Sequence, residues 1–389
     1  MRQQPDAVIP FVDLAAEWIP YKAEALRRIA QVFEHGRFVM GPEVEELEAR
    51  LAQDTGAAHA ITCSSGTTAL MMALMALELG PGDEVILPAF TFAAPIEAIL
   101  LLGAKAVLAD IDPITHTIDP DAVAQLIGPR TRAIIAVSLF GVPADFTRLN
   151  ALAASHGLPV IEDAAQSYGA VLDGRHSGNL STVACASFFP TKTLGGAGDG
   201  GALLTNDPLL AQRLRQIRDH GQSGKYNHVR LGLNGRLGSI ACAALLARIG
   251  GVMEGVRQRQ AAAAHYDALL AEAAGHGKMI LPTVPIASEC AFAQYAIQVD
   301  ARDLVAESML AAHIQVAVHY PAPLHLQPAF KEKVFFQSLV HAERLARSVL
   351  CLPIYPSLTV AQQERVAVAL TDALSTATSI ECLPSAQLP

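Results

Sequence analysis

The sequence predicts an α/β protein in which a mostly parallel sheet is covered by helices on both faces. Short continuous apolar runs alternate with helical patterns from about residue 59 to 165, which is typical of parallel strands joined by helical crossovers. Hydrophobic residues make up 51% of the 389 residues and charged residues only 17%, enough for a large core. Residues suited to chemistry recur where these strands end, and such folds bind ligands at that edge.

The predicted elements follow one another along the chain. The stretch "HAITCSSGTTALMMALMALEL" is predicted as a strand, a turn and a helix, and "DEVILPAF" as a strand before the helix "APIEAILLLG". Further strands are predicted at "AKAVLADI", "TRAIIAVSLFG", "LPVIEDAA" and "STVACASFF", with a helix at "DFTRLNALAASHG". A long alanine-rich helical region runs from about Gly238 to Ala274.

The chain changes character after Lys278, where "YAIQVD" and "IQVAVHYP" read as strands with helices between and after them. We therefore expect a large domain over residues 1–250, which includes the N-terminal segment. A smaller C-terminal α+β domain is expected over 251–380, and a tail over 381–389.

Charge and cysteine content exclude several classes of protein. The net charge of −9 and the lack of a Lys/Arg block disfavour a nucleic-acid surface. The most apolar stretch is interrupted by Pro95, Glu97, Gly103 and Lys105, so no membrane span is expected, and the N-terminus lacks the apolar core of a signal peptide. The six cysteines form no CxxC pair, which suggests neither a metal site nor a disulfide framework. A cytoplasmic setting is the expectation.

Small hydroxyl residues open a helix in "TCSSGTTAL". Unpaired backbone amides and the positive end of the helix dipole bind phosphate at such a position, where Gly66 and Thr67 lie. An ordinary helix cap is the alternative, since Ser and Thr favour caps.

A fully apolar strand runs into Glu162 and Asp163 in "LPVIEDAAQSYGA". A carboxylate at this position is partly buried and needs a cation or strong donors. A protonated pyridine nitrogen is one such partner, and a helix-capping role is the alternative.

One lysine, Lys192, stands between "SFFPT" and a glycine-rich turn. If it faces the same strand-end cleft as Asp163, desolvation lowers its pKa and makes it nucleophilic, as a Schiff-base lysine requires. A solvated loop lysine is the alternative.

Seven ordered stretches resemble the sugar aminotransferases of the DegT/StrS type: "SSGTTAL", "PAFTF", "EDAAQSYGA", "SFFPTKTLG", "DGGALLTND", "RLGLNGRLGS" and "HYPAPLHLQP". The resemblance extends from "FVDL" at residue 11 to beyond Pro353. It implies the fold-type-I architecture, pyridoxal 5′-phosphate (PLP) as cofactor, and a homodimer that shares its active sites across the interface.

The resemblance also implies the site residues. Lys192 would be the Schiff-base lysine and proton carrier, and Asp163 the partner of the ring nitrogen. The remaining cofactor-binding residues would be Gly66, Thr67 and Ser187 at the phosphate, Phe92 on the ring face, Gln166 at the ring hydroxyl, and Asn234 at the neighbouring subunit's phosphate. The implied substrate-facing residues are Arg236, His319, Tyr320 and, as pocket lining, His325.

The implied reaction moves an amino group from L-glutamate to a nucleotide-linked keto sugar. Segments such as "SLFGVPADF" look most like enzymes that aminate UDP-linked 3-keto-N-acetylglucuronic acid, whose carboxylate Arg236 and His319 could serve. A 4-keto-6-deoxy nucleotide sugar is the competing substrate. The chain departs from the family pattern at Gly235 and Gly238, where relatives carry a larger and an acidic residue, and both changes lie near the expected substrate side.

The sequence leaves three alternatives to transamination. PLP-dependent sugar dehydratases of this fold lack the Schiff-base lysine, so Lys192 argues against them. A non-catalytic PLP-binding regulator usually carries a DNA-binding domain, of which the sequence shows no sign. A plain α/β binding protein would require all seven stretches to be coincidence.

Overall fold

The computed structural model describes residues 7–381. Its α-helices are α1 Leu14–Trp18, α2 Lys22–His35, α3 Pro42–Thr55, α4 Gly66–Ala76, α5 Ala94–Leu101, α6 Pro120–Leu126, α7 Phe146–Ser155, α8 Pro208–Arg218, α9 Ser239–Ile249, α10 Val252–Gly275, α11 Arg302–Ala311, α12 Val340–Ser348 and α13 Val360–Glu381. Two short 3₁₀ helices span Leu139–Gly141 and Leu324–Leu326.

The strands are β1 His59–Cys63, β2 Glu84–Pro88, β3 Lys105–Ala109, β4 Thr131–Val137, β5 Val160–Asp163, β6 Val171–Leu172, β7 Arg175–His176, β8 Val183–Ser187, β9 Gly201–Thr205, β10 Met279–Ile280, β11 Ser288–Glu289, β12 Tyr295–Val299, β13 Val334–Phe336 and β14 Val349–Leu352. This list confirms the predicted α/β alternation over residues 59–165.

The central sheet has eight strands in the order β1-β9-β8-β5-β4-β2-β3-β13. Neighbouring strands from β8 to β13 pair in parallel, and β9 pairs antiparallel with both β8 and β1. Seven of the eight strands therefore point the same way. The carboxyl ends of the parallel strands meet at one edge, as the sequence predicts for ligand binding.

Both faces of this sheet are buried. Along β2, Val85 and Leu87 pack into the cluster that holds α4 and α5, whereas Ile86 packs into the cluster of α6 and α7 on the opposite face. Alternate residues of β4 divide between the same two clusters. Because each strand needs apolar side chains on both faces, its sequence is a continuous apolar run.

A second, smaller unit forms around the antiparallel sheet β10-β12-β14. Side chains of α10, α11 and α13 cover this sheet and form a separate apolar cluster. The ribbon β11-β6-β7 lies apart from both sheets.

The packing does not follow chain order at the expected boundary between residues 250 and 251, and that boundary stays a prediction. Ile9 lies in the core of the second unit and pairs with Ile314, although the N-terminal segment was assigned to the large domain. Conversely, β13 joins the edge of the central sheet. The expected tail over 381–389 lies, apart from Glu381 at the end of α13, outside the described residues.

Two predicted elements differ in the structure. The long helix expected from Gly238 to Ala274 is divided into α9 and α10 at Gly250 and Gly251, since glycine disfavours a helix interior. Gly251 has no room for a side chain, because a Cβ atom there would lie 2.1 Å from the Tyr21 hydroxyl oxygen. The strand expected at "IQVAVHYP" makes only isolated bridges, at Ile314 and Ala317. Its end carries His319 and Tyr320 away from the sheet, and Pro321 has no N–H to continue a ladder.

Within residues 7–381, no single helix is long and apolar enough to cross a bilayer. Helices α9 and α10 reach that length and composition only when taken together, across a bend of 56°.

Candidate active site

The site lies where β4, β5 and β8 end. Asp163 is the last residue of β5, and Ser187 is the last residue of β8. The chain after β4 is held against β5, because the Ser138 N–H donates to the Asp163 carbonyl oxygen at 3.1 Å. The parallel pairing of these strands brings the three ends together.

Two neighbouring carboxylates end β5, and they point to opposite faces of the sheet, as alternate strand residues do. The Glu162 carboxylate is fully buried and accepts bonds from the Ser177 hydroxyl at 2.6 Å, the Gly178 N–H at 2.9 Å and the Leu180 N–H at 3.2 Å. The Asp163 carboxylate accepts one, from the Ala165 N–H at 3.0 Å. Burial raises the pKa of both carboxyl groups.

Lys192 is presented by a tight turn, residues 189–196, which we call the Lys192 turn. The Lys192 N–H donates to the Phe189 carbonyl oxygen at 2.9 Å, and the Gly196 N–H donates to that of Phe188 at 2.8 Å. Gly195 is needed here, because a Cβ atom would lie 2.0 Å from the Pro190 carbonyl oxygen. The lysine is partly buried rather than solvated in a loop.

The Lys192 amine and the Asp163 carboxylate influence each other electrostatically. Burial lowers the pKa of the Lys192 amine, and the negative charge of Asp163 partly opposes that shift. In the part of the chain that the structure describes, the amine has neither a hydrogen bond nor an ion pair, so the two groups lie farther apart than a contact pair.

The beginning of α4 offers an anion site beside the end of β8. Ser65 caps the helix, and its side-chain oxygen accepts from the Thr68 N–H at 3.0 Å. The Gly66 and Thr67 amides have no acceptor among residues 7–381. A Cβ atom at Gly66 would lie 2.8 Å from Ser187 Cβ, so these two predicted phosphate residues are adjacent. Free amides at a helix N-terminus suit a phosphate.

Gln166, Tyr320 and Phe92 line the same cleft. Gln166 Oε1 accepts from the Phe140 N–H at 2.7 Å, which fixes the side chain, and Gln166 Nε2 donates to the Tyr320 hydroxyl at 3.5 Å. The Phe92 ring lies 6.1 Å from the Tyr320 ring, and 56% of Phe92 is exposed. An exposed aromatic face at this position can stack on a flat ligand.

His319 lies next to Tyr320 and near Lys192. Burial lowers the pKa of His319, and the positive charge of Lys192 lowers it further. The His319 ring packs against the Phe11 ring at 5.8 Å. Phe11 is a site residue that the sequence did not single out, since only its place in "FVDL" marked it.

The structure does not join three of the predicted residues to this cluster. Arg236 is ion-paired with Asp219, and His325 pairs with Glu343 at 3.1 Å. Asn234 is exposed, while the carbonyl oxygen of the adjacent Gly235 accepts from the Ser64 N–H at 2.9 Å, beside α4. The roles expected for these three side chains stay predictions.

Two further hydroxyl side chains near the site were not among the residues predicted from the sequence. The Thr91 and Ser138 hydroxyl oxygens are buried and have no hydrogen-bond partner among the described residues. Both residues follow strand ends, at β2 and β4. Their position was available from the predicted strands, but a lone hydroxyl residue carries little signal.

These residues fit PLP. Asp163 would hold the protonated ring nitrogen, Lys192 would bind the reactive carbon, and the free amides of Gly66 and Thr67 would hold the phosphate. The amine and the carboxylate lie apart, and the amides still lack acceptors. No group of three or more potential metal ligands occurs in the described residues.

Comparison with known proteins agrees with this geometry. The model of the DegT/DnrJ/EryC1/StrS aminotransferase family matches residues 21–371. The UDP-2-acetamido-2-deoxy-3-oxo-D-glucuronate aminotransferase of Pseudomonas aeruginosa is 46% identical over 94% of this chain and 100% of its own. The UDP-N-acetyl-3-dehydro-α-D-glucosamine 3-aminotransferase of Acidithiobacillus ferrooxidans is 41% identical over 93% and 97%.

A solved structure shows the same fold. DesV of Streptomyces venezuelae, in complex with a ketimine intermediate, superposes with a TM-score of 0.91. It is 40% identical and covers 95% of this chain and 99% of its own. This chain belongs to the DegT/DnrJ/EryC1/StrS aminotransferase family of PLP-dependent enzymes.

Proposed function

We propose that this enzyme transfers the amino group of L-glutamate to C3 of UDP-linked 3-keto-N-acetylglucuronic acid, in amino-sugar and polysaccharide biosynthesis. The observation that carries the transaminase function is the partly buried Lys192 amine, which lies near enough to Asp163 at the edge of the sheet for the two charges to affect each other's pKa but forms no contact ion pair with it. The substrate is inferred from the P. aeruginosa relative.

The site residues divide the work between them. PLP, when bound, supplies a conjugated ring that accepts electrons. Asp163 would keep a proton on the ring nitrogen, and its buried position would strengthen that charge pair. Lys192, with its lowered pKa, would hold the cofactor and move the proton of the donor's α-carbon. Gln166, held by the Phe140 N–H, would contact the ring hydroxyl.

The C3 position and the carboxylate have separate support. Both relatives are named for substrates with an oxo or dehydro group at C3. A uronate carboxylate needs a cation, and Arg236 is held by Asp219 in this structure. Binding of the uronate therefore requires Arg236 to exchange Asp219 for the substrate, or His319 to take its place.

The proposal includes a homodimer in a cytoplasmic setting. Several large apolar residues are exposed on α2 and just after it, with 64% of Phe33 and 58% of Val39 accessible. The Val39–Gly238 bridge joins this region to the segment that carries Asn234 and Arg236. Exposed apolar surface of this kind marks an interface, and a second copy on it would receive Asn234. Light scattering should give twice the mass of 41.1 kDa.

The substrate test is a panel of purified UDP- and dTDP-linked keto sugars, each incubated with the enzyme, PLP and L-glutamate. Mass spectrometry should detect the amino sugar from the UDP-linked 3-keto uronate. The matched UDP sugar with a hydroxymethyl group instead of the carboxylate should react at least about 10-fold more slowly, since a buried charge loses its partner.

Three results would overturn parts of this proposal. Equal rates with the neutral sugar would rule out specificity for the uronate. Faster amination of a 4-keto-6-deoxy sugar would identify that class as the substrate instead. If another amino acid, but not L-glutamate, served as amino donor for these sugars, the proposed donor would be wrong and the proposed sugar would be unaffected.

A further inference from the structure

A buried ionic cluster lies directly behind the Lys192 turn, on the side away from the cleft. It consists of Glu17 of α1, Arg248 of α9 and Arg259 of α10, which we call the Glu17 triad. Glu17 is 7% exposed, Arg248 4% and Arg259 3%. Glu17 is ion-paired with Arg248 through one carboxylate oxygen, and with Arg259 at 3.2 Å through the other.

Arg248 joins this triad to the Lys192 turn. Its Nη1 donates to the Gly195 carbonyl oxygen at 3.2 Å, while its Nη2 holds Glu17. The guanidinium also lies 5.6 Å from the centre of the Trp18 ring, an arrangement that favours a cation. The planar guanidinium of Arg248 is therefore held by three contacts, one of which is to the backbone three residues after Lys192.

The turn depends on an outside anchor at this point. Its own hydrogen bonds close the loop from Phe188 to Gly196, and the Gly195 carbonyl points away from them to Arg248. A cavity of about 280 Å³ adjoins the triad and is lined by Thr193, the residue next to Lys192. Without Arg248, the turn has open space into which it can shift.

We propose that Arg248, oriented by Glu17, is a positioning residue that holds the turn presenting Lys192. It touches neither the cofactor nor the substrate, and it acts through the Gly195 carbonyl. The proposal rests on the proposed role of Lys192, but its first test needs neither cofactor nor substrate. Misplacement of a reacting group by about 1 Å can cost roughly 10²-fold in rate.

The test compares Arg248→Met with Arg302→Met. Arg302 is a matched control, since it is buried, pairs with one carboxylate and donates to backbone carbonyl oxygens of Ala346 and Val349, but in the second unit. Hydrogen exchange of the cofactor-free proteins is measured by mass spectrometry on peptides that cover residues 188–198. Arg248→Met should speed exchange of the Lys192 and Gly196 amides at least about 10-fold, whereas Arg302→Met should leave them unchanged.

Kinetics of the loaded enzymes provide the second readout. Arg248→Met should lower kcat about 10- to 100-fold and leave KM for both substrates within about twofold, because Arg248 makes no substrate contact. Arg248→Lys should recover part of the loss, since one ammonium can reach the carbonyl or Glu17 but not both.

Trp18 is the only tryptophan of the chain, so its emission reports whether each variant is folded around the triad. If Arg248→Met does not fold, Glu17→Gln takes its place, and the same exchange and the same kcat effect are expected. Wild-type exchange in the Lys192 turn, together with wild-type kcat, would overturn the proposal. Faster exchange in a protein that aminates no sugar would keep the positioning role and reject the function.

Discussion

Glu162 and Asp163 are neighbours on β5, both are buried, and both have a raised pKa, yet their surroundings differ. Glu162 faces the loop around Ser177–Leu180, where three donors satisfy it. Asp163 faces the cleft, where one backbone N–H leaves most of its acceptor capacity open. Three donors satisfy one carboxylate, and we propose that the other, with a single donor, binds a ligand.

The comparison shows that burial alone does not mark a functional acid. A buried polar group with a complete set of hydrogen-bond partners stabilises its surroundings. A buried polar group that lacks such partners destabilises the fold by itself, and the stability of the surrounding structure keeps it buried. The same contrast applies to cations, since Arg248 is fully engaged while the Lys192 amine has no contact partner in the described chain.

The largest effect is expected for Lys192→Ala, which removes the amine of the cleft. Turnover should fall by at least about 10²–10⁴-fold, the contribution of a positioned base. The bound-cofactor absorbance in the near-visible region should be lost as well. Lys105→Ala, at an exposed lysine that begins β3, is the control and should retain both. A Lys192→Ala enzyme with full activity would refute the assignment.

Asp163→Asn should lower turnover by at least about 10²-fold, because a preorganised charge is lost in a site of low dielectric constant. The amide oxygen can still accept from Ala165, so the fold should be retained. Steady-state rates and circular dichroism together check this. Turnover within a few-fold of wild type would show that Asp163 does not stabilise a charged ring.

Glu162→Gln should lower stability and leave activity nearly unchanged, the reverse of Asp163→Asn. The new amide group faces the Leu180 N–H with a donor, so the free energy of unfolding should fall by about 1–3 kcal/mol. Activity of the folded enzyme should stay within a few-fold of wild type. Denaturant unfolding gives the free energy of unfolding, and steady-state rates at denaturant concentrations below the unfolding transition give the activity. Loss of activity without loss of stability would contradict the structural role of Glu162.

The pH dependence of stability should follow Asp163. Its pKa is raised in the folded protein, so its contribution to stability is complete below the unfolded pKa and is lost as pH rises through the folded pKa. Cofactor-free Asp163→Asn should therefore lose less stability than wild type between about pH 4 and 8. Melting temperatures across that range would show it, and parallel curves would oppose it.

Tyr320→Phe should have the smallest effect. The hydroxyl accepts from Gln166 at 3.5 Å, which is a weak hydrogen bond. Loss of that contact predicts a decrease of about two- to tenfold in kcat/KM. Progress curves with both substrates would measure it. A loss as large as that of Lys192→Ala would make Tyr320 a participant in proton transfer.

Much of the site was predictable from local pattern, because strand ends and a helix N-terminus are encoded within a few residues. Asp163, Gly66 and Ser187 lie at such points, and Lys192 lies in the turn that follows β8. The period-2 alternation of β5 also separates Glu162 from Asp163, a distinction that the sequence analysis did not draw.

The contacts that were not predicted join distant parts of the chain. Arg236 is ion-paired with Asp219, and the Phe11 ring packs against His319. Arg248 donates hydrogen bonds to both Glu17 and the Gly195 carbonyl oxygen. β13 reaches the central sheet from the C-terminal part for the same reason. Such pairings depend on tertiary packing, and no local propensity encodes them.

The most direct test of the account is an absorbance spectrum of the purified protein with PLP, scanned before and after L-glutamate. The account predicts a near-visible band of the lysine-bound cofactor, which glutamate converts to the pyridoxamine form. No band after PLP is supplied would mean that Lys192 is a turn lysine without this chemistry. A band that no amino donor moves would contradict transamination at this site.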